Sequence, residues 1–380
     1  MAGPLFYEMI KGLSTGNQSK YTLVTGHPDT VLKKDTNLNI ILSYSYNRRS
    51  LVRRGLSWIM YSFDILKYLA QCNSRSLVIC SSNPPILPPL IILFRKIKRF
   101  RYVPVVYDIY PEVLVQANIY SDDSWVVRIW KILNRTYYRN AEMVFTIGEY
   151  MSTKIASYVD GDTHKVKFVY PWVDTNVFQR KIPVNNPLYK HYNPMGKKVV
   201  LYSGNLGSNH DIESIMKAAK LLLHNDAILF LIFGTGDKWS FAETYVNQNK
   251  LDNVKMFPLQ DEKLLPFTLS LADISLVALE EGAGEFMIPS KLFYYMATGS
   301  AIVGICDKRN DVHDIVIENQ CGLIVDVGSY RDLAQQIEEL CQKPSLLSQY
   351  KKNSREAALK TFSKTSGLDQ VSSIFNEIKG

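Results

Sequence analysis

Lys291 lies in the stretch EFMIPSKLFYYMATGSAIVGI, residues 285–305, at the first turn of a helix that the pattern after Pro289 and Ser290 predicts. A cation there opposes the helix dipole, which favours negative charge at an N-terminus. Either the ammonium is solvated at the surface, or an anion arrives between it and the helix end. A second stretch, LYSGNLGSNHD (201–211), sets Gly204 and Gly207 in a strand-to-helix turn, with Asp211 or a near neighbour as the expected N-cap. Glycines in such turns let backbone N–H groups approach a phosphate, or stand there for geometry alone. His210 closes this turn, placed for phosphate or sugar contact. A third stretch, FGTGD (233–237), puts Gly234 at another strand end. In the first half, Asp108 and Glu112 of YDIYPE follow a predicted strand. Paired carboxylates there can bind or deprotonate a hydroxyl, or serve as a helix cap and a solvated acid. His27, in TGHPD, reads as structural.

The elements that must hold these residues alternate strand and helix, twice over, which is the pattern of α/β layers with parallel sheets. The first series has predicted strands over 21–26, 39–44, 76–82, 103–108, 143–148 and 165–171, and helices over 56–70, 124–139 and 149–158. Residues 179–196, rich in Pro, Asn and Gly, read as a linker between domains 1–178 and 197–362. The second series places the Gly204 turn after its first strand and Lys291 after its fourth. Residues 363–380 are expected to form a helix crossing back to the first domain. The opening MAGPLFYEMIKGL reads as turn then helix, where such a domain usually begins with a buried strand.

A chain of 380 residues exceeds one core and calls for two domains. Five Cys without CxxC spacing read as reduced core thiols of a cytosolic protein, with no signal peptide ahead of them. The uncharged run 76–94 approaches the length of a membrane span, but its four prolines predict strand, loop and short helix. Charge is uneven: residues 1–190 hold 25 Lys/Arg against 13 Asp/Glu, out of 44 against 36 in all. Two basic clusters stand out, Arg48, Arg49, Arg53 and Arg54, and then Arg95, Lys96, Lys98 and Arg99, each beside aromatic or aliphatic residues. This suits an anionic membrane surface, or else solvated helix faces. No nucleic-acid-binding motif accompanies the charge. The absence of GxGxxG with its distal acid, GxxxxGK[ST], HExxH and GxSxG disfavours dehydrogenase, P-loop, zincin and α/β-hydrolase readings.

YSGNLGSNHDIESIMKAAKLL followed by PSKLFYYMATGSAIVG resembles the C-terminal half of GT-B glycosyltransferases of family 4, in the PSK-motif branch of bacterial lipopolysaccharide and capsule enzymes. SSNPPILPPLIILFRK, YDIYPEVLV, VFTIGEYMSTKI and VYPWVDTNVF extend the resemblance over nearly the whole chain. It implies two Rossmann-like parallel-sheet domains facing across a cleft. It also implies a retaining, metal-independent transferase of hexosyl type with no cofactor beyond its nucleotide-sugar donor. The acceptor side would be the first domain, with Asp108 and Glu112. The donor side would be the second, with Gly204, Asn205, Leu206, His210, Gly234, Ser290, Leu292 and Tyr294, and with Lys291 and Glu285 as catalytic groups. With the basic first half, the implied acceptor is a lipid-linked intermediate at the cytoplasmic membrane face. A partner subunit or homo-oligomer is compatible with it. Two departures stand out. Asn205 and His210 occupy positions where many members carry Arg and Lys. The second Glu of the family's E-x7-E pattern falls on Tyr294, and the first on Phe286, one residue after Glu285. These leave two alternatives open: a nucleotide-sugar epimerase on the same fold, or a non-catalytic partner subunit.

Overall fold

A computed structural model describes residues 2–15, 20–26, 38–45, 51–116, 118–193, 196–285 and 287–379. The chain divides into two compact units, Met1–Tyr170 with Gly367–Gly380, and Pro171–Ser366.

The first unit opens on α1 (Ala2–Ser14), then β1 (Tyr21–Thr25) and β2 (Leu38–Leu42), which pair in parallel. After α2 (Leu51–Gln71) come β3 (Leu77–Ser81), α3 (Leu87–Lys98), β4 (Arg101–Val106), α4 (Glu112–Gln116), α5 (Trp125–Asn140), β5 (Val144–Thr146), α6 (Glu149–Ala156) and β6 (Val166–Phe168). Strands β3 to β6 form one parallel sheet in sequence order. The prolines of 76–94 break the apolar run into β3, a loop and α3, and none of the described helices is long and apolar enough to cross a membrane. Helix α5 starts on the Ser124 hydroxyl, which accepts from Val127 N (3.3 Å), and buries Val127, Tyr137 and Tyr138 toward the core.

The second unit begins with α7 (Tyr189–Tyr192), β7 (Lys198–Asn205), α8 (Ile212–Leu221), β8 (Ile228–Thr235), α9 (Trp239–Asn249) and β9 (Val254–Pro258). It continues with α10 (Leu265–Leu269), β10 (Ile274–Ala278), α11 (Lys291–Ala297), β11 (Ala301–Ile305), α12 (Asp311–Glu318), β12 (Gly322–Val325), α13 (Tyr330–Gln342) and α14 (Pro344–Lys360). Its six parallel strands lie in the order β12-β11-β10-β7-β8-β9, the doubly wound order. Runs such as ILFLIF and AIVGI are buried along their whole length because parallel strands are covered on both faces.

The division falls before residue 178, where the sequence places it. The Arg355 guanidinium of α14 donates to the carbonyls of Thr175 (3.0 Å) and Phe178 (2.9 Å), and Val173 bridges to Ser363, so residues 171–178 belong to the second unit. The described residues of the expected linker 179–196 are likewise packed within that unit: the buried Tyr192 ring stands edge-on to Phe233 and Phe257, and Asn186 Nδ2 donates to Phe267 O (2.8 Å). Helix α15 (Lys364–Lys379) carries the chain into the first unit. There Phe375 stacks on Phe145 (5.1 Å) and Glu377 pairs with Lys167 (3.5 Å).

Asp273, just ahead of β10, ties three parts of the second unit. Its carboxylate meets Lys351 Nζ of α14 (2.7 Å), Arg180 (3.6 Å) and Val199 N of β7 (3.2 Å). Burial pushes its pKa up, but Lys351 and the other donors outweigh this and hold it below the usual value. Asp273→Ala is therefore expected to cost about 2–4 kcal/mol by stranding two cations. The wild type should lose the same contribution as pH falls from the unfolded carboxylate value through the lower folded one. Urea unfolding of both proteins at neutral and acid pH checks this: the gap between them must narrow in acid.

Candidate active site

Strand β7 ends at Asn205, and β10, its neighbour in the sheet, ends at Ala278. Between them the strand order reverses, and the loops leaving such a point form the crevice in which α/β sheets hold ligands. The loop after β7 runs to Asp211, which caps α8 as expected. Its Oδ1 accepts from Ser214 N (2.9 Å), and its Oδ2 accepts from Gly328 N (3.0 Å). The loop after β10 joins the first loop through Glu280 N, which donates to Asn209 O (3.0 Å), and is held on its other side by Gly282 N donating to Asp307 (2.7 Å).

Lys291 opens α11 at this place. Its ammonium is buried without a hydrogen-bond partner and lies 3.8 Å from the centroid of the Tyr202 ring in β7. Burial lowers its pKa to about 7. A Cβ on Gly204 would stand 3.2 Å from Lys291 Cε and Nζ, and Gly204 has φ of +135°, so glycine there gives both the turn and the room for the lysine. The helix is fixed one turn later. Tyr295 Oη accepts from Ser203 N (2.7 Å) and donates to Ser203 O (3.0 Å). Lys291 and Tyr295 are four residues apart and share a helix face, so this anchor sets Lys291 over Tyr202.

His210 is buried with its Nδ1 unpartnered, and its ring stands edge-on to Tyr202 at 6.5 Å. Burial, and then the charge of Lys291, lower its pKa to about 3, so it is a neutral imidazole here and supplies no cation. A second cation comes from the loop after β8. Lys238 Nζ donates to His210 O (2.8 Å) and pairs with the Glu280 carboxylate. Tyr202, Lys238, Glu280 and Tyr295 were not among the residues expected from the sequence. Only Tyr295 had a local signal, its spacing from Lys291.

The other expected donor residues have varied surroundings. Asn205 is exposed, and its amide fills the space beside Gly207 and Gly236. Leu206 is buried, and its N–H joins the β7 and β8 ends through Thr235 O (2.8 Å). Gly234 lies where any Cβ would fall 2.0 Å from Gly204 O. Ser290 holds the N-cap position of α11, and Leu292 is core. Tyr294 turns its ring edge-on to Phe178 (4.6 Å). Glu285 is exposed at the end of a short turn, Ala283–Glu285, and Phe286 lies outside the described residues.

In the first unit, Asp108 and Glu112 have separate partners. Asp108 is half-buried, accepts from Asn83 Nδ2 (2.8 Å), and has a pKa raised by burial. It lines a narrow hollow with Tyr110 and Trp130, whose rings stack at 6.0 Å. Glu112 is buried and accepts from the Tyr158 hydroxyl, which makes it an interior group. Of the basic clusters, Arg48 and Arg49, and likewise His27, lie outside the described residues, as do the side chains of Arg53 and Arg54. Arg95 packs over the Tyr102 ring (5.8 Å), while Lys96 and Arg99 are exposed and Lys98 is half-buried.

Residues 189–357 match the family model Glycosyl transferases group 1. The chain is 28% identical over 305 residues to "Probable glycosyltransferase WbjE" of Pseudomonas aeruginosa, covering 78% of this chain and 74% of that one. It is 30% identical over 190 residues to WcaI of Escherichia coli (strain K12), named for colanic acid biosynthesis glycosyl transfer, covering 49% and 44%. Among solved structures, Anabaena HepE in complex with UDP-glucose superposes with a TM-score of 0.75 at 13% identity, covering 99% of this chain and 96% of that one. The fold is two Rossmann-like units of parallel sheet, as in the GT-B glycosyltransferases.

Proposed function

We propose, for a chain whose residues 189–357 form a glycosyl transferases group 1 domain, a transferase of nucleotide-diphosphate sugars that retains configuration at the anomeric carbon. The hexosyl group leaves the diphosphate and bonds to an acceptor hydroxyl, which gives up its proton. The acceptor is a lipid-linked intermediate of polysaccharide biosynthesis; the name of one relative, which refers to colanic acid biosynthesis, supports the polysaccharide part of this reading. The observation that carries the donor side is the buried, unpartnered ammonium of Lys291 at the switch point. An unpaired buried cation is costly, and a diphosphate arriving there would pair it and have its own developing charge stabilised as the sugar departs. With the charge met by Lys291, the proposal needs no resident metal. Lys238 stands one loop away and would hold the His210 turn in place for the same phosphates. Asp108 is proposed to receive the acceptor hydroxyl, its raised pKa suiting a group that takes up a proton.

The test is calorimetric titration with UDP and with uridine. The ammonium must be charged to hold phosphate, and its pKa is about 7 in the free protein. UDP affinity is therefore expected to be level below about pH 7 and to fall by up to about tenfold per pH unit above it, while uridine affinity stays flat. A UDP affinity equally flat up to about pH 9 removes Lys291 from the diphosphate site.

Tyr294 favours a second reading. Its ring packs on Phe178, and the position offers no carboxylate to a ribose. The chain would then bind donor as a non-catalytic partner. Binding of UDP-glucose without turnover against any lipid-linked acceptor would select it.

A further inference from the structure

Lys238 ties the loop after β8 to both neighbouring loops. Its N–H donates to Leu206 O (2.8 Å), and its ammonium donates to His210 O (2.8 Å), so it is fixed twice to the loop after β7. The same ammonium pairs with the Glu280 carboxylate in the loop after β10. His210 feels the charge of this ammonium and of Lys291, and both, together with burial, keep its imidazole neutral. The two ammonium groups around this turn are in unlike states. Lys291 Nζ has no hydrogen-bond partner, whereas Lys238 already has a carboxylate.

A nucleotide-diphosphate sugar carries a negative charge on each phosphate, and departure of the sugar adds another. One buried ammonium meets only part of that charge, and the neutral His210 meets none of it. Lys238 stands at the same turn, but the carboxylate beside it repels the phosphates that its ammonium would attract. The side chains of this pair are 27% and 34% exposed, so water screens it and parting it costs little, unlike the parting of a fully buried pair. The bond to His210 O can persist meanwhile, because an ammonium has three donors. We propose that Lys238 is a second diphosphate-binding residue, held in the free protein by Glu280. Donor binding exchanges the Glu280 carboxylate for a phosphate oxygen on the Lys238 ammonium, and the carboxylate turns to solvent. The loop after β8 stays tied to the His210 turn, while the Glu280 side chain is released. The exchange rests on the donor reading given above and adds to it a competitor within the chain: Glu280 lowers the affinity for a diphosphate.

The experiment is calorimetric titration of the full chain and two variants with UDP, and with uridine as the probe that lacks phosphate, joined to a crystal structure of the wild type with UDP. Glu280→Gln keeps the shape of the side chain without its charge, and should raise UDP affinity about fivefold, as for releasing a solvated ion pair. Lys238→Met should lower UDP affinity at least about tenfold. Uridine affinity should be the same in all three proteins. In the UDP complex the Lys238 ammonium should lie within hydrogen-bond distance of a phosphate oxygen and no longer of Glu280. An ion pair that only braces the loops gives the opposite sign: Glu280→Gln would then loosen the turn and weaken UDP and uridine alike. A Glu280→Gln variant that binds UDP no better than wild type overturns the proposal, and so does a UDP complex in which Lys238 still pairs with Glu280. If either occurs while wild-type UDP affinity falls above about pH 7 as expected of Lys291, the donor reading stands and only the exchange is lost. A wild type that does not bind UDP overturns both.

Discussion

Replacing Lys291 by Met is expected to abolish the proposed reaction while making the protein more stable. The ammonium has no hydrogen-bond partner in the free protein, only the face of the Tyr202 ring, and Met keeps most of the side chain's length against that ring without the charge. UDP binding should weaken by about a hundredfold or more, as expected for losing a charge-assisted contact in a site closed to water. Uridine binding should not change. For stability the sign follows from the two protonation states. In the unfolded chain a Lys keeps its proton to about pH 10.4, but in the folded one it gives it up near about 7. The folded state is therefore penalised fully below pH 7, and the penalty disappears as pH rises between the two values. The Met variant should gain on the order of a few kcal/mol at or below neutrality and nothing near the upper value. Thermal unfolding of the two proteins across that range, alongside calorimetry with UDP and uridine, checks both halves. A Met variant less stable than wild type at pH 7 would mean that the contact of the ammonium with the Tyr202 ring outweighs the cost of burying it.

Gly234→Ala should be the most damaging single-methyl change near the site. A Cβ at that position would lie 2.0 Å from Gly204 O and 2.4 Å from Leu206 Cδ1, so backbone must move. The strands it would part are β7 and β8, in register from Lys198↔Ile228 to Asn205↔Thr235. Their ends carry the turn that receives Lys291. The expected cost is at least about 4 kcal/mol, close to the whole stability of an ordinary domain. Gly161→Ala is the control. Gly161 has φ of +81° with nothing within 4 Å, so it tests backbone handedness without a clash and should cost about 1–2 kcal/mol. Soluble expression and urea midpoints of the two variants give the comparison. Equal losses would mean that close approach of the two strands is not what Gly234 provides.

The sheets were legible because their strands are parallel and covered on both faces, which writes them as unbroken apolar runs such as ILFLIF. Lys291 was legible because a cation at a helix start contradicts the dipole and so asks for an explanation. Its supports were hidden for the opposite reason. Tyr202 and Tyr295 stand in apolar stretches, where aromatic side chains read as core, and both are core as well as site. Lys238 and Glu280 are 42 residues apart and meet only because β10 returns beside β7, a pairing that no local pattern announces. Asp108 and Glu112 looked alike in YDIYPE. Only three-dimensional packing separates a half-buried carboxylate at a hollow from one enclosed with Tyr158. The boundary at 170 was obscured because the proline- and asparagine-rich 179–196 advertises a linker, whereas Arg355 gathers the preceding residues into the second unit.

The last helix bears on how the chain is made. Residues 171–366 are contiguous, so everything the second unit needs has been synthesised before α15 extends past its first turn. The first unit, although translated first, lacks Leu368, Phe375 and Glu377 until the whole second unit has been made. The usual order of co-translational folding, N-terminal domain first, is thereby inverted at its final step. A chain released at residue 366 would present a finished second unit and an unfinished first one, with Phe145 still waiting for its stacking partner.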